Sequence, residues 1–214
     1  PPTSRFSMPT TPSSSLRSRP LGEFLSTLAA KSPTPGGGAV ASTTGAIAAS
    51  LAHMVVAYSL NKKSLAEHQP ALQQASAALL RTSDLFLALA EEDAAAYAQY
   101  NELSRLPETD PRRAAELPGA LAASINAPRA VLGASADLLR LLESLRPITN
   151  PHLRSDLAIA AVLAEAAAKS AHWNIHINLP NLPDPAQRSK LDTESRTLLA
   201  QSALRRAAIE QACA

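Results

Sequence analysis

Apolar side chains recur every three or four positions along most of this 214-residue chain, which is the period of an amphipathic α-helix. The pattern predicts a short helix at 21–30 and further helices at 38–60, 70–104, 129–145, 156–174 and 185–211. No segment alternates apolar and polar residues convincingly with the period of two that is typical of a half-buried strand. The best strand candidate, 173–179, is short and isolated, so its backbone would lack hydrogen-bonding partners. The pattern therefore predicts helices throughout.

The second predicted helix, 38–60, carries a stripe of small residues, Ser42, Gly45, Ala46 and Ala49. Small side chains three and four positions apart lie on one face, where they allow another helix to approach closely. The larger apolar side chains of this segment lie beside that face. We therefore expect this helix to be central in the fold and buried on most sides.

Prolines and polar residues mark the boundaries between the predicted helices. Pro111 suits the first turn of a helix, where the missing N–H of proline costs nothing. The pair Pro118-Gly119 interrupts a helical pattern, so we expect a kink or a break there. Ser155 is placed to cap the helix that follows it. The two prolines within 178–184 predict an irregular connection.

Composition narrows the fold class. Alanine, the best helix former, supplies much of the 46% apolar content, and aromatic residues make up only 3%. With the pattern, this predicts an all-α bundle of six or seven helices in one domain, residues 21–214. No unbroken run of about 20 apolar residues occurs, so we expect no membrane span. The 20 basic and 18 acidic residues are scattered, which argues against a nucleic-acid partner.

Residues 1–20 differ from the rest of the chain. They are rich in serine and proline, contain arginine and lack acidic residues, a composition typical of a disordered tail. Mitochondrial transit peptides share this bias, but the prolines would break the amphipathic helix that such peptides form. We therefore expect a cytoplasmic protein, with a mitochondrial location as the alternative. The only cysteine, Cys213, has no partner for an internal disulfide.

A proline- and glycine-rich turn, 33–38, precedes the second predicted helix. Glycines allow a ligand to approach the backbone closely, and the free N–H groups at a helix start favour an anion or a polarised carbonyl oxygen. The candidate binding residues here are Pro35, Gly36, Gly37 and Gly38. The alternative is a tight connection between helices in which glycine relieves backbone strain.

Asp93 is the candidate acid–base residue. Aspartate has poor helix propensity, yet this one lies inside a predicted helix without a capping role. Ala94 and Tyr97 flank it at helical spacing, so we expect its face to be partly buried. Burial raises the pKa of a carboxyl group and suits it to donate or accept a proton. The adjacent Glu91 and Glu92 are expected to be solvent-exposed charges.

Asp156, Asn174 and Asn178 form a second polar set. Carboxylate and amide groups can pair with the donor–acceptor edge of a heterocycle. The alternative is structural, with Asp156 as a first-turn helix charge and Asn178 as a helix terminator. His172 and His176 lie four positions apart, but no glutamate accompanies them in an HExxH arrangement, so we predict no metal site.

Three segments occur in the order and spacing of one known family. The first, at 32–55, reads SPTPGGG and continues into the small-residue helix. The second, at 92–97, reads EDAAAY. The third comprises NPHLRSD at 150–156 and NIHINL at 174–179. Together they make the stretch 21–184 resemble the formimidoyltetrahydrofolate cyclodeaminase / methenyltetrahydrofolate cyclohydrolase family.

The resemblance implies an all-α homodimer that acts on a reduced folate with neither a metal nor a tightly bound cofactor. Its members close 5-formiminotetrahydrofolate to 5,10-methenyltetrahydrofolate with loss of ammonia, or add water to the methenyl bridge to give 10-formyltetrahydrofolate. The resemblance also makes Asp93 the catalytic residue, with the turn 33–38 or Lys62 and Lys63 holding the folate glutamate tail. The alternative for both lysines is to complement the negative end of the preceding helix.

The chain departs from the family between Tyr58 and Leu65, where Asn61 replaces a glycine and Leu65 stands where an aromatic residue is typical. These departures and Pro118-Gly119 leave two alternatives open. One is the same fold acting as a cyclase or deaminase on a non-folate metabolite, because a fold does not determine its substrate. The other is a non-catalytic helical dimerisation module, which an exposed Asp93 far from any pocket would favour.

Overall fold

The computed structural model describes residues 15–214, and six α-helices account for most of them. The helices are α1 (Leu21–Leu28), α2 (Gly37–Ala57), α3 (Gln69–Ser104), α4 (Pro111–Leu145), α5 (Arg154–Asn178) and α6 (Pro185–Cys213). Short 3-10 turns lie at Lys63–His68, Pro151–Leu153 and Leu179–Asn181. The described residues contain no strand, so the all-α prediction is confirmed. Predictions that concern residues 1–14 lie outside the described residues.

Helices α2, α3, α4 and α5 form a four-helix bundle in which each packs against the next and α5 closes against α2. α2 and α5 run antiparallel, because Gly37 at the start of α2 lies beside Asn174 near the end of α5. At the opposite end, the buried Ser59 accepts a hydrogen bond from the backbone N–H of Asn150. α6 packs outside the bundle, across α4 and α5. This arrangement gives the bundle two distinct ends.

The small-residue stripe of α2 faces α3, as predicted. A Cβ atom at Gly45 would lie only 2.5 Å from the ring of Phe86, which is fully buried. Glycine is therefore required for the ring to pack against the backbone of α2. By length and composition alone α2 is apolar enough to cross a membrane. However, α2 packs against both α3 and α5, so its apolar residues are explained by its position in the core of the bundle.

α4 runs unbroken through Pro118-Gly119, so the predicted break there is wrong. A proline inside a helix removes one backbone hydrogen bond. The residues that follow make up for this loss, since the apolar side chains of α4 from Ala120 onward are buried against the other helices. The predicted cap at Ser155 is also wrong. α5 begins one residue earlier, at Arg154, because the 3-10 turn Pro151–Leu153 continues directly into it.

The described part of the N-terminal segment, residues 15–20, forms a turn that lies on α3. The hydroxyl of Ser15 and the backbone N–H of Leu16 both donate to the carboxylate of Glu91. Arg17 pairs with Asp84 at 3.0 Å. Contacts with α3 therefore hold this stretch next to the helix that carries Asp93.

Candidate active site

One end of the bundle contains a cavity of about 250 Å³. It lies where the start of α2 and the end of α5 meet the middle parts of α3 and α4. The residues that line it are Pro33, Thr34, Gly36, Gly37, Gly38, Asp93, Ala94, Tyr97, Ser124, Asn174, Ile177 and Asn178. Four separate elements and the 33–38 turn thus supply its walls.

Asp93 and Gly38 are packed against each other in this cavity. A Cβ atom at position 38 would lie 2.0 Å from Oδ2 of Asp93 and 2.2 Å from its Cγ. No residue larger than glycine can occupy this position unless the carboxylate moves. Gly38 therefore places the Asp93 carboxylate at the first turn of α2.

The environment of Asp93 acts on its pKa in two opposite ways. The N-terminus of a helix favours the charged form of a nearby carboxylate. Burial disfavours the charged form, because the carboxylate loses water that would solvate it. Burial raises the pKa of Asp93 above its ordinary value of 3.8. Asp93 is thus better suited to hold a proton than an exposed aspartate is.

The side chain of Asn174 packs against α2 at Gly37, the residue before Gly38. Its Oδ1 atom would lie 3.1 Å from a Cβ atom at Gly37. The Nδ2 atom of Asn174 is buried, and no hydrogen-bond partner for it occurs among the residues described. A buried donor without a partner is costly, so this atom is a natural place for a ligand acceptor.

The glycines of the turn provide space rather than unusual backbone conformation. All seven glycines of the chain lie in the described part, and none has a positive φ. The alternative interpretation, in which they relieve backbone strain, is therefore wrong. Gly37 and Gly38 are small because Asn174 and Asp93 occupy the space that side chains would need.

Asn178 completes the polar wall of the cavity. Its Nδ2 atom donates to the backbone carbonyls of Asn174 at 3.1 Å and of Ser124 at 3.2 Å. Asn178 is also the last residue of α5, as its predicted role of helix terminator requires. It therefore links the end of α5 to the middle of α4 while it lines the cavity.

Not every predicted binding residue lies at this end of the bundle. Pro35 follows a cis peptide bond in the 33–38 turn but does not line the cavity. Lys62 and Lys63 follow the C-terminal end of α2, whereas the cavity lies at its N-terminal end. At 1.5 Å per residue, α2 separates the two ends by about 30 Å. Asp156 lies in the first turn of α5, also at the far end. These three charged residues of the chain therefore do not line its cavity.

Some cavity residues were not predicted as site residues. Tyr97 belongs to the EDAAAY segment and lies one turn after Asp93, so helical spacing could have identified it. Ser124 carries no local signal, because it contributes through its backbone carbonyl. Thr34 and Ile177 also line the cavity, and each is next in sequence to a predicted residue, Pro35 and Asn178.

The histidine pair lies outside the cavity, on the side of α5 that faces α6. A ring nitrogen of His172 lies 3.2 Å from the hydroxyl of Ser195, and His176 lies 3.6 Å from the carboxylate of Asp192. Burial and the nearby Arg196 lower the pKa of His172. Within residues 15–214, no group of three or more potential metal ligands is present.

Comparisons with known proteins agree on one family. Residues 20–197 match the family model described as Formiminotransferase-cyclodeaminase. The chain is 30% identical over 192 residues to formimidoyltransferase-cyclodeaminase from Sus scrofa, a match that covers 88% of this chain and 36% of that protein. The chain thus spans about a third of the length of that relative. It is 31% identical to methenyltetrahydrofolate cyclohydrolase from Methylorubrum extorquens, over 84% of this chain and 88% of that protein.

A solved structure extends the agreement to the fold. The crystal structure of formiminotetrahydrofolate cyclodeaminase from Thermotoga maritima superposes with a TM-score of 0.81 at 28% identity. The match covers 91% of this chain and 97% of that chain. The chain therefore belongs to the formiminotransferase-cyclodeaminase family.

Proposed function

We propose that this protein is a folate-dependent one-carbon enzyme, a cyclodeaminase or a methenyltetrahydrofolate cyclohydrolase, with Asp93 as its acid–base residue. One observation carries the proposal: the partly buried carboxylate of Asp93, whose pKa is raised, lies in the cavity against Gly38. The names of the relatives support a reduced folate as the substrate class.

The same carboxyl group serves either reaction. In cyclodeamination, an N–H nitrogen of the folate forms a bond to the formimino carbon, and its proton passes to the formimino nitrogen. The bond from the carbon to that departing nitrogen then breaks. Protonated Asp93 gives its proton to the departing ammonia, and the resulting carboxylate then balances the positive charge of the methenyl product. In the cyclohydrolase reaction, the carboxylate accepts a proton from the water that adds to the methenyl carbon. The bond from that carbon to one folate nitrogen then breaks as the proton of the new hydroxyl passes to this nitrogen.

The rest of the cavity supplies recognition. The unpaired Nδ2 donor of Asn174 is directed to a ligand acceptor, and the backbone N–H groups at Gly36 and Gly37 favour a polarised carbonyl or a carboxylate. The chemistry is proton transfer, so we expect the folate to act as substrate without a tightly bound cofactor.

Two other functions compete with this one. A non-catalytic dimerisation module would be favoured by an exposed Asp93 far from any cavity, and Asp93 here is partly buried and lines one. A cyclase or deaminase of a non-folate metabolite would use the same carboxylate. The experiment below separates these possibilities.

The test follows 5,10-methenyltetrahydrofolate by its near-ultraviolet absorbance, and 5-formiminotetrahydrofolate by release of ammonia. We expect turnover of at least one of them and a loss of about 10²- to 10⁴-fold in kcat in the Asp93→Asn variant, the range typical of general acid–base catalysis. Glu92→Gln, a change at the exposed neighbour, is the matched control and should retain activity. No interaction with any folate would contradict the proposal and favour a different substrate.

We further propose that the protein is a homodimer formed through α2 and α5. Exposed apolar side chains on these adjacent helices and just after α2 are Ile47, Tyr58, Ile159, Val162, Trp173 and Ile177. The four on α5 share one face by helical spacing, and an exposed apolar face is typical of an interface. A second copy is favoured because a two-fold axis across the bundle would bring Lys62, Lys63 and Asp156 of the partner subunit beside the cavity, where the resemblance expects them.

The dimer is tested by sedimentation of Trp173→Glu, which places a charge in the proposed interface. Leu204→Glu on α6 is the matched control, since the two side chains are 62% and 72% exposed. We expect only the first change to produce monomers. Mixing inactive Asp93→Asn protein with an inactive Lys62→Ala/Lys63→Ala variant should restore part of the activity if the cavity is shared between subunits. Dimeric Trp173→Glu protein would contradict this interface.

A further inference from the structure

Pro128 occupies an unusual place in α4. It lies inside the helix and is buried, four residues after Ser124. In a continuous α-helix, the N–H of residue 128 would donate to the carbonyl of residue 124. Proline has no N–H, and its ring pushes the carbonyl four residues earlier away from the helix axis. The Ser124 carbonyl is therefore without its partner inside α4.

The side chain of Asn178 supplies the donor that the Ser124 carbonyl lacks inside α4. Its Nδ2 atom donates to the Ser124 carbonyl and also to the carbonyl of Asn174. Both partners are acceptors, so the nitrogen of the amide must point towards them. These two bonds use both hydrogens of the amide nitrogen. Oδ1 of Asn178 has no partner in the described part of the protein, which leaves a hydrogen-bond acceptor at the cavity.

Asn174 and Asn178 thus offer complementary groups to a ligand. Asn174 offers a buried donor without a partner, and Asn178 offers an acceptor. A ligand that carries an acceptor beside a donor, such as the lactam edge of a pterin, can pair with both at once. An asparagine that could rotate freely would give this selectivity only part of the time.

We propose that Pro128 is a positioning residue for ligand recognition, acting through Asn178. By leaving the Ser124 carbonyl unpaired within α4, it holds the Asn178 amide with its oxygen available to the ligand. The identity of the ligand as a folate rests on the proposed function, but the contact between Ser124 and Asn178 does not.

The chain offers a matched control in the same helix. Pro118 also lies inside α4 and also lacks an N–H, but it is exposed and does not line the cavity. Pro118→Ala and Pro128→Ala each restore one backbone hydrogen bond to α4. Only the second change provides the Ser124 carbonyl with a competing donor.

The first measurement needs no ligand. In the full chain labelled with ¹⁵N, the side-chain amide signals of Asn178 are assigned by their absence from Asn178→Ala. We expect their hydrogen exchange to accelerate by about threefold to tenfold in Pro128→Ala, the change expected for loss of about one hydrogen bond, and to stay the same in Pro118→Ala. Pro128→Val, which also restores the N–H and has a larger side chain, replaces Pro128→Ala if that variant does not fold.

The second measurement uses whichever of the two folates the parent protein turns over, 5,10-methenyltetrahydrofolate or 5-formiminotetrahydrofolate. Pro128→Ala should raise KM by about threefold to tenfold and leave the pH profile of kcat unchanged, because Asn178 binds the ligand while Asp93 transfers the proton. In an Asn178→Ala background, Pro128→Ala should have no further effect on KM.

Two results would overturn the inference: unchanged exchange of the Asn178 amide in Pro128→Ala, or effects of Pro128→Ala and Asn178→Ala on KM that simply add. If the parent protein uses neither folate, the proposed function fails. The amide exchange then still decides whether Pro128 holds Asn178.

Discussion

The two ends of the bundle are built from the same pair of antiparallel helices, yet their polar groups are arranged in opposite ways. At the end that contains the cavity, the carboxylate of Asp93 is partly buried and Nδ2 of Asn174 has no partner among the described residues. At the other end, the buried hydroxyl of Ser59 donates to the carbonyl of Val55 and accepts from the N–H of Asn150.

Gln69 extends this paired network at the far end. Its Oε1 atom accepts from the N–H of Asn61, and its Nε2 atom donates to the carbonyls of Ser59 and Leu65. Asn61 has a φ of 61°, in the left-handed region that asparagine tolerates better than most residues. Side chains thus satisfy the backbone where α2 ends.

The difference between the two ends separates a structural role from a functional one. Buried polar groups are normally paired, because an unpaired one costs free energy of folding. Paired groups at the far end therefore stabilise the fold. Unpaired groups at the cavity end lower stability and remain available to a ligand. The predictions below alter one end at a time.

The largest effect is expected for Gly38→Ala at the cavity end. The new Cβ would lie 2.0 Å from Oδ2 of Asp93, so the carboxylate must rotate out of its position. We expect kcat/KM to fall about 100-fold, as for other small displacements of a reacting group, with little loss of stability because only the end of a side chain moves. Steady-state kinetics and urea unfolding measure the two quantities.

Gly119→Ala is the control for this substitution, because no atom lies within 4 Å of a Cβ atom at position 119. It should leave kcat/KM unchanged. If Gly38→Ala were fully active, the position of the Asp93 carboxylate against α2 would not matter for the reaction.

A smaller effect, and on stability instead of activity, is expected for Ser59→Ala at the far end. The change removes the acceptor of the buried Asn150 N–H, and an unsatisfied buried group costs about 1–3 kcal/mol in free energy of unfolding. Urea unfolding gives this value. Activity measured well below the unfolding transition should stay within about twofold of the parent value, since no cavity group moves.

The control for Ser59→Ala is Ser144→Ala. The Ser144 hydroxyl is exposed and donates only to a carbonyl of its own helix. We expect this change to alter the free energy of unfolding by less than about 0.5 kcal/mol. An equal loss of stability in both variants would mean that the Ser59 network does not hold the far end together.

The sequence allowed the helices and half of the site to be predicted, for a physical reason. Helical period and the burial of Asp93 are local properties, so a single segment reveals them. Which end of one helix meets which end of another depends on packing over the whole chain. For this reason the sequence predicts Lys62, Lys63 and Asp156 as binding residues, although they lie at the end of the bundle opposite the cavity.

Ser124 and Pro118 illustrate the same limit in other ways. The carbonyl of Ser124 in α4 accepts a hydrogen bond from the side chain of Asn178 in α5, a pairing that no local pattern contains. Pro118 predicts a break, but α4 remains continuous because its later turns are buried. Tertiary packing outweighs the local preference in both cases.

The smallest effect is expected in the pH dependence of stability, and it distinguishes the two ends directly. Burial raises the pKa of Asp93 in the folded protein above 3.8. Its protonated form therefore favours folding below that pH, and this contribution is lost as the pH rises through the raised pKa. Asp93→Asn removes the titration, so its free energy of unfolding should rise relative to the parent as the pH increases and then level off. Urea unfolding at steps from about pH 3 to about pH 8 measures this difference. The difference between Ser59→Ala and the parent should stay constant over the same steps, because serine does not titrate. A constant difference for Asp93→Asn as well would mean that the cavity does not desolvate its carboxylate.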